Sequence, residues 1–164
     1  MILKALRSWV LGLILLYIQI MLMPMISIAG WIPNILIPWA VFLVWTRPRD
    51  IALIVTFIIT VMYDTTQPGL FGYSPLMFLI IGVAVSEVRK PFEAESKAAM
   101  MISLVMANLI WFLALWLTLG ITHGFSLQLA TLNLIAFIYN LVISLAVYWL
   151  LYYISRLRVV RVNE

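Results

Sequence analysis

The sequence predicts an all-α, polytopic membrane protein with six transmembrane helices, and three observations lead there. Hydrophobic residues make up 66% of the chain and charged residues only 10%, where about a quarter of a soluble domain is charged. The apolar residues fall in helix-length runs, and 164 residues hold about six such spans with short turns and no sizeable soluble domain. The ten Lys and Arg residues occur in four short segments: before the first span, after the second, after the fourth and after the sixth. Under the positive-inside rule that alternation places both termini in the cytoplasm and leaves the three outward turns without Lys or Arg.

Composition also excludes several kinds of chemistry. The absence of cysteine rules out disulfides, thiolate metal sites and a thiol nucleophile. One histidine, His123, cannot build a histidine metal cluster. The pI near 9.6 is explained by membrane topology, because the cations flank apolar runs; no nucleic-acid partner is expected.

The first span is expected at about 9–25, after Lys4 and Arg7. Ser27-Ile28-Ala29 imitates a cleavage site, but the run Trp9 to Ile26 exceeds a usual signal-peptide core and is read as a retained span. Gly12 and Gln19 share one face, and the amide of Gln19 points into the bundle because lipid offers it no partner. An uncharged turn containing Pro33 and Asn34 leads to the second span, about 32–45, marked at its ends by Trp31 and Trp45. Pro38 clashes with the carbonyl of residue 34, so that end is expected to be kinked or opened.

The third span, about 51–64, follows the basic turn at Arg47 to Asp50. Thr56, Thr60 and Asp64 recur every four residues as one polar stripe that faces protein. Gln67-Pro68-Gly69 with Gly72 breaks the apolar stretch into a hairpin, and the fourth span takes up about 73–86. On it Gly82 and Ser86 allow a close helix contact. The segment from Glu87 to Lys97 returns the chain to the basic side, with Glu93 and Lys97 at ion-pair spacing. The fifth span, about 98–119, carries the small-residue face Ala99, Ser103, Ala107 and Ala114. A turn from Gly120 to Phe125 holds His123, and the sixth span, about 127–153, lines one face with Asn133, Ala136, Asn140 and Ser144. Arg156, Arg158 and Arg161 follow it; they orient the span or recruit anionic lipid or a cytoplasmic partner.

Intramembrane hydrolysis needs paired aspartates, a serine with its base or a metal-binding histidine pair, and the sequence offers only Asp64 and His123. No catalytic, cofactor-binding or metal-binding residue is therefore assigned. Asp64 has two readings. It is a proton or cation site, as ionisable groups in spans are by default, or it is hydrated near the outer interface and caps the turn through Thr65, Thr66 and Gly69. His123 reads as an exposed turn residue. Asn108, Asn133 and Asn140 either line a cavity or bond between helices.

The order of Pro33-Asn34, Arg47-Pro48, Asp64, Gly69 and Gly72, together with length, six spans and a basic tail, resembles the MreD family, small rod-shape-determining membrane proteins of bacteria. The resemblance is densest from Trp31 to Val85. It implies a non-enzymatic scaffold in the bacterial inner membrane, bound to the single-span protein MreC. It further implies work with MreB filaments and with RodA and its penicillin-binding partner in peptidoglycan synthesis and cell shape. Pro33, Asn34, Arg47, Thr56, Thr60, Asp64, Gly69 and Gly72 are then the candidate structural or partner-binding residues. The family is also similar in fold to the substrate-binding S subunits of energy-coupling-factor vitamin transporters, which supplies the alternative function. Such subunits usually carry Ala-xxx-Ala on the first span, and Trp9 to Met25 contains no alanine.

Overall fold

The computed structural model describes residues 2–67, 71–92 and 96–160, without the side chains of 2–5 and 156–160. Pro68, Gly69, Glu93 of the expected Glu93–Lys97 pair and Arg161 lie outside the described residues, as do the side chains of Lys4, Arg156 and Arg158. The regular structure is helical: α1 (Ile2–Met21), α2 (Leu36–Thr46), α3 (Arg49–Asp64), α4 (Tyr73–Arg89), α5 (Lys97–His123) and α6 (Leu127–Val160). Two of these, α5 and α6, are long and apolar enough to cross a membrane, with 27 and 29 residues in their apolar stretches.

The helices pack around α2. Leu36–Trp45 is buried along its whole length, and α2 touches each of the other five helices. A helix that is apolar on every side has no face suited to water, so it is driven either into lipid or into a protein core. Here it occupies the core, ringed by α1, α3, α4, α5 and α6. Its 11 residues span only about 16 Å, against about 30 Å for a hydrocarbon layer. The expected span at 32–45 is thus corrected to a short helix that begins at Leu36. Pro38 accounts for the start: placed in the first turn, its missing N–H is one that no intrahelical carbonyl would have accepted.

Other boundaries differ for equally local reasons. Helix α1 stops at Met21 instead of continuing to 25, and a 3₁₀ turn at Met23–Ile26 carries Pro24 in its first positions. The chain then reverses through Ile28 and Trp31, which exchange both backbone hydrogen bonds. Ala29 (φ 52°) and Gly30 (φ 82°) between them are left-handed, as a two-residue type I′ turn requires. At the other end of the chain, His123 belongs to the last turn of α5 and is exposed. Gly120 does not end that helix; it makes room for the ring of Phe125, which folds back onto it, and the reversal falls at Gly124, φ 87°.

Small residues set the close approaches. A Cβ on Gly12 would lie 2.7 Å from Cζ2 of Trp39 and 3.1 Å from Cγ1 of Ile59, so α1, α2 and α3 meet where that glycine stands. On α4, Gly82 admits Leu53 of α3. Ala99, Ser103 and Ala107 of α5 are fully buried, and Trp45 Nε1 donates to Ser103 Oγ at 3.2 Å.

Candidate functional site

The most polar part of the interior lies at the two ends of α2. A buried helix end leaves backbone N–H and C=O groups that nothing inside the helix can satisfy. Side chains from three other helices serve them. At the start, Gln19 of α1 donates from Nε2 to the Pro33 carbonyl (3.0 Å) and accepts from the Ile35 N–H at Oε1 (2.8 Å). Asn140 Oδ1 of α6 accepts from the Asn34 N–H at 2.6 Å, and Asn34 Oδ1 accepts from the Leu36 N–H at 3.0 Å. Asn140 is held in turn, because its Nδ2 donates to Asn108 Oδ1 of α5 and Ser144 Oγ donates to that oxygen at 3.3 Å. Gln19, Asn34, Asn108, Asn140 and Ser144 are all buried. They are interhelical ties between α1, α2, α5 and α6, which is one of the two roles the sequence left open for Asn108 and Asn140. Asn133 stands apart and donates to the Phe112 carbonyl at 3.1 Å.

At the opposite end, Arg89 Nη1 of α4 donates to the carbonyls of Val44 (2.6 Å) and Arg47 (3.1 Å). Positive charge at a helix C-terminus also meets the negative end of the helix dipole. The Arg89 guanidinium sits 6.0 Å from the Trp45 ring centre. Arg47, the candidate from the sequence, turns its own side chain to α1, donating from Nε to Ser8 Oγ at 2.9 Å. Arg89 was read from the sequence only as a topology charge. Its signal was present: Gly82, Ser86 and Arg89 follow one another at four and three residues on the face of α4 that packs inward.

Asp64 closes α3 and is 1% exposed, so it is not a hydrated interfacial carboxylate. Its Oδ2 accepts from the backbone N–H groups of Gly72 (2.7 Å) and Ser74 (3.2 Å), at the start of α4. A carboxylate at a helix N-terminus satisfies orphan donors and meets the positive end of the dipole. The cap therefore differs in its partners from the expected one. Thr65 and Thr66 turn their hydroxyls back to the Met62 and Tyr63 carbonyls, each at 2.7 Å, and Gly69 is outside the described residues. Gly72, at φ 90°, has the left-handed backbone that glycine adopts without strain.

The threonine stripe beneath Asp64 is buried at Thr56 (3%) and Thr60 (0%). Thr60 donates within its own helix to the Thr56 carbonyl at 2.8 Å. The Thr56 hydroxyl is buried without a partner among the described residues, and nothing in the structure explains it. Pro33, Asn34 and Arg47 thus gather around the two ends of α2, while Thr56, Thr60, Asp64 and Gly72 form a separate corner between α3 and α4.

Among the described residues no group of three or more His, Cys, Asp or Glu side chains is placed to hold a metal ion. Comparison of the chain with family models, curated proteins and solved structures gives no match.

Proposed function

We propose that the chain is a six-span bundle of the bacterial inner membrane that works as a scaffold, holding a single-span MreC-like protein within the cell-elongation machinery. The observation that carries this reading is the inversion of the molecule. Most of its buried polar side chains are tied to its own backbone or to one another, while large apolar side chains face outward. On α1 these are Val10, Ile14, Tyr17 and Met21; on α3 Ile54, Ile58 and Met62; on α5 Ile102, Leu109 and Leu113. An apolar exterior of this extent suits lipid and helix partners and would aggregate in water. Helices α1, α3 and α4 reach the membrane in this reading as members of the bundle, and the second crossing is made by α2 together with the non-helical chain that leads into it.

Interior polarity supports a scaffold over a transporter subunit. A ligand site needs polar groups aimed at a cavity, whereas Gln19, Asn34, Asn108, Asn140 and Asp64 are engaged with backbone or with one another. Asn133 Oδ1 and Trp116 Nε1, without a partner among the described residues, line a largely apolar cleft between α5 and α6, and function is assigned to the surface, with RodA and its penicillin-binding partner and MreB filaments as the wider assembly.

The absence of cysteine makes topology directly measurable. Single cysteines at Arg49 and Lys90 should react with an impermeant maleimide only after permeabilisation, and those at Thr65 and His123 in intact spheroplasts. Reaction of all four from one side would remove the six-span reading. Failure of any MreC-like protein to co-purify from native membranes would remove the scaffold.

A further inference from the structure

Two basic segments that are separate in sequence, 47–50 and 87–90, meet at one end of the bundle. They line a cleft of about 340 Å³ whose walls are Val44, Arg49, Ser86, Arg89, Lys90 and Phe92. Arg49, Arg89 and Lys90 face this space, and among the described residues Glu87 pairs with Arg49 at 3.3 Å and with Lys90 at 2.6 Å, while Asp50 adjoins Arg49 in sequence. Arg89 has no carboxylate partner among the described residues. Its Nη1 is fixed on the Val44 and Arg47 carbonyls, which orients the guanidinium without neutralising its formal charge. The N–H groups on Nε and Nη2 meet no acceptor among the described residues. A planar donor fork already held at one edge is preorganised for an oxyanion such as phosphate.

The surroundings of the cleft select among phosphate compounds. Val44 and Phe92 give it apolar walls. From Lys90 along α4, the exposed side chains Val83, Ile80 and Leu76 continue away from the cations at spacings of seven, three and four residues. That row is one helix face, long enough for a hydrocarbon chain to lie against. A free phosphate would leave it unused.

We propose that this cleft binds the phosphate of an anionic phospholipid of the inner leaflet, with an acyl chain along the outer face of α4. The assignment rests on the membrane-embedded reading above, with the basic end inside. The test is native mass spectrometry of the full chain in neutral detergent, with phosphatidylglycerol and phosphatidylcholine added at equal concentration. Phosphatidylglycerol should be retained at least about tenfold more strongly, and Arg49→Gln with Lys90→Gln should reduce that preference by roughly tenfold or more. This pair of substitutions leaves Arg89 on the end of α2, so loss of folding does not confuse the result. Equal retention of the two lipids, or a preference unchanged by the double substitution, overturns the proposal. So does complete displacement of the lipid by an equal concentration of inorganic phosphate, which assigns the cleft to free phosphate. Alkaline carbonate extraction of membranes separates the two levels of the argument. Release of the protein refutes the embedding, whereas a retained protein without lipid preference refutes the cleft alone.

Discussion

Replacing Gln19 with leucine removes the one side chain that serves both backbone groups at the entry to α2. The Pro33 carbonyl and the Ile35 N–H lose bonds of 3.0 and 2.8 Å, and Ile35 is only 2% exposed, so water does not readily replace them. A buried polar group left unpaired costs about 1–3 kcal/mol. Interhelical hydrogen bonds in membrane proteins average nearer ~0.6 kcal/mol, because the membrane-unfolded state finds other partners. For two bonds at a closed helix end the expected loss is about 2–3 kcal/mol, between those bounds. Reversible unfolding in mixed micelles, titrated with a denaturing detergent and followed by circular dichroism, reads it directly. Ile14→Ala, on the outward face of the same helix at 52% exposure, is the control and should shift stability by less than about 0.5 kcal/mol. Gln19→Glu keeps the acceptor for Ile35 and places an oxygen against the Pro33 carbonyl, so it should also destabilise. A Gln19→Leu protein within about 0.5 kcal/mol of the parent would refute the claim that these bonds hold α2 in place.

Further outcomes follow from the same geometry. Gly12→Ala drives a methyl into the fully buried Trp39 ring at 2.7 Å and should cost about 1–3 kcal/mol in the same unfolding assay. Gly82→Ala meets the flexible end of Leu53 at 2.5 Å and should cost less than Gly12→Ala; the reverse order would contradict the packing described. Asp64→Ala strands two N–H groups at the start of α4 and should cost about 2–3 kcal/mol, while Asp64→Asn keeps an acceptor and should cost about 1 kcal/mol. Equal losses in those two variants would argue that charge matters beyond the cap. The Lys90 hydrogen bond, with smaller help from the Lys90 and Arg49 charges, holds the Glu87 carboxyl below its ordinary value. A lowered folded-state pKa means stability present above the unfolded value and lost as pH falls through the folded one. Glu87→Gln should therefore remove a small acid-side decline in stability, and an unchanged pH profile would remove that assignment.

How much of this was legible depended on whether the signal was local. Thr56, Thr60 and Asp64 share a helix face by spacing alone, and all three are buried. Gln19 could be turned inward because an amide in an apolar span needs a partner, though which partner required the fold. The central position of α2 was not readable: Leu36–Trp45 is apolar on all sides, and periodicity does not distinguish lipid from protein around such a helix. Asp64 was recognisable as a cap or a titrating site, but the N–H donors it serves, eight and ten residues onward, depend on how the hairpin folds. Arg89 was hidden by its neighbours, because a cation beside Lys90 reads as topology until α4 is laid against the end of α2.

Buried polar groups serve architecture in this reading of the protein, and function lies on its surface. Affinity purification of the parent chain and of Asp64→Asn from native membranes, with identification of everything retained, tests that division most directly. The same single-span protein should be bound to both. A vitamin-sized molecule bound to the parent and lost from Asp64→Asn, with no protein partner on either, would contradict it.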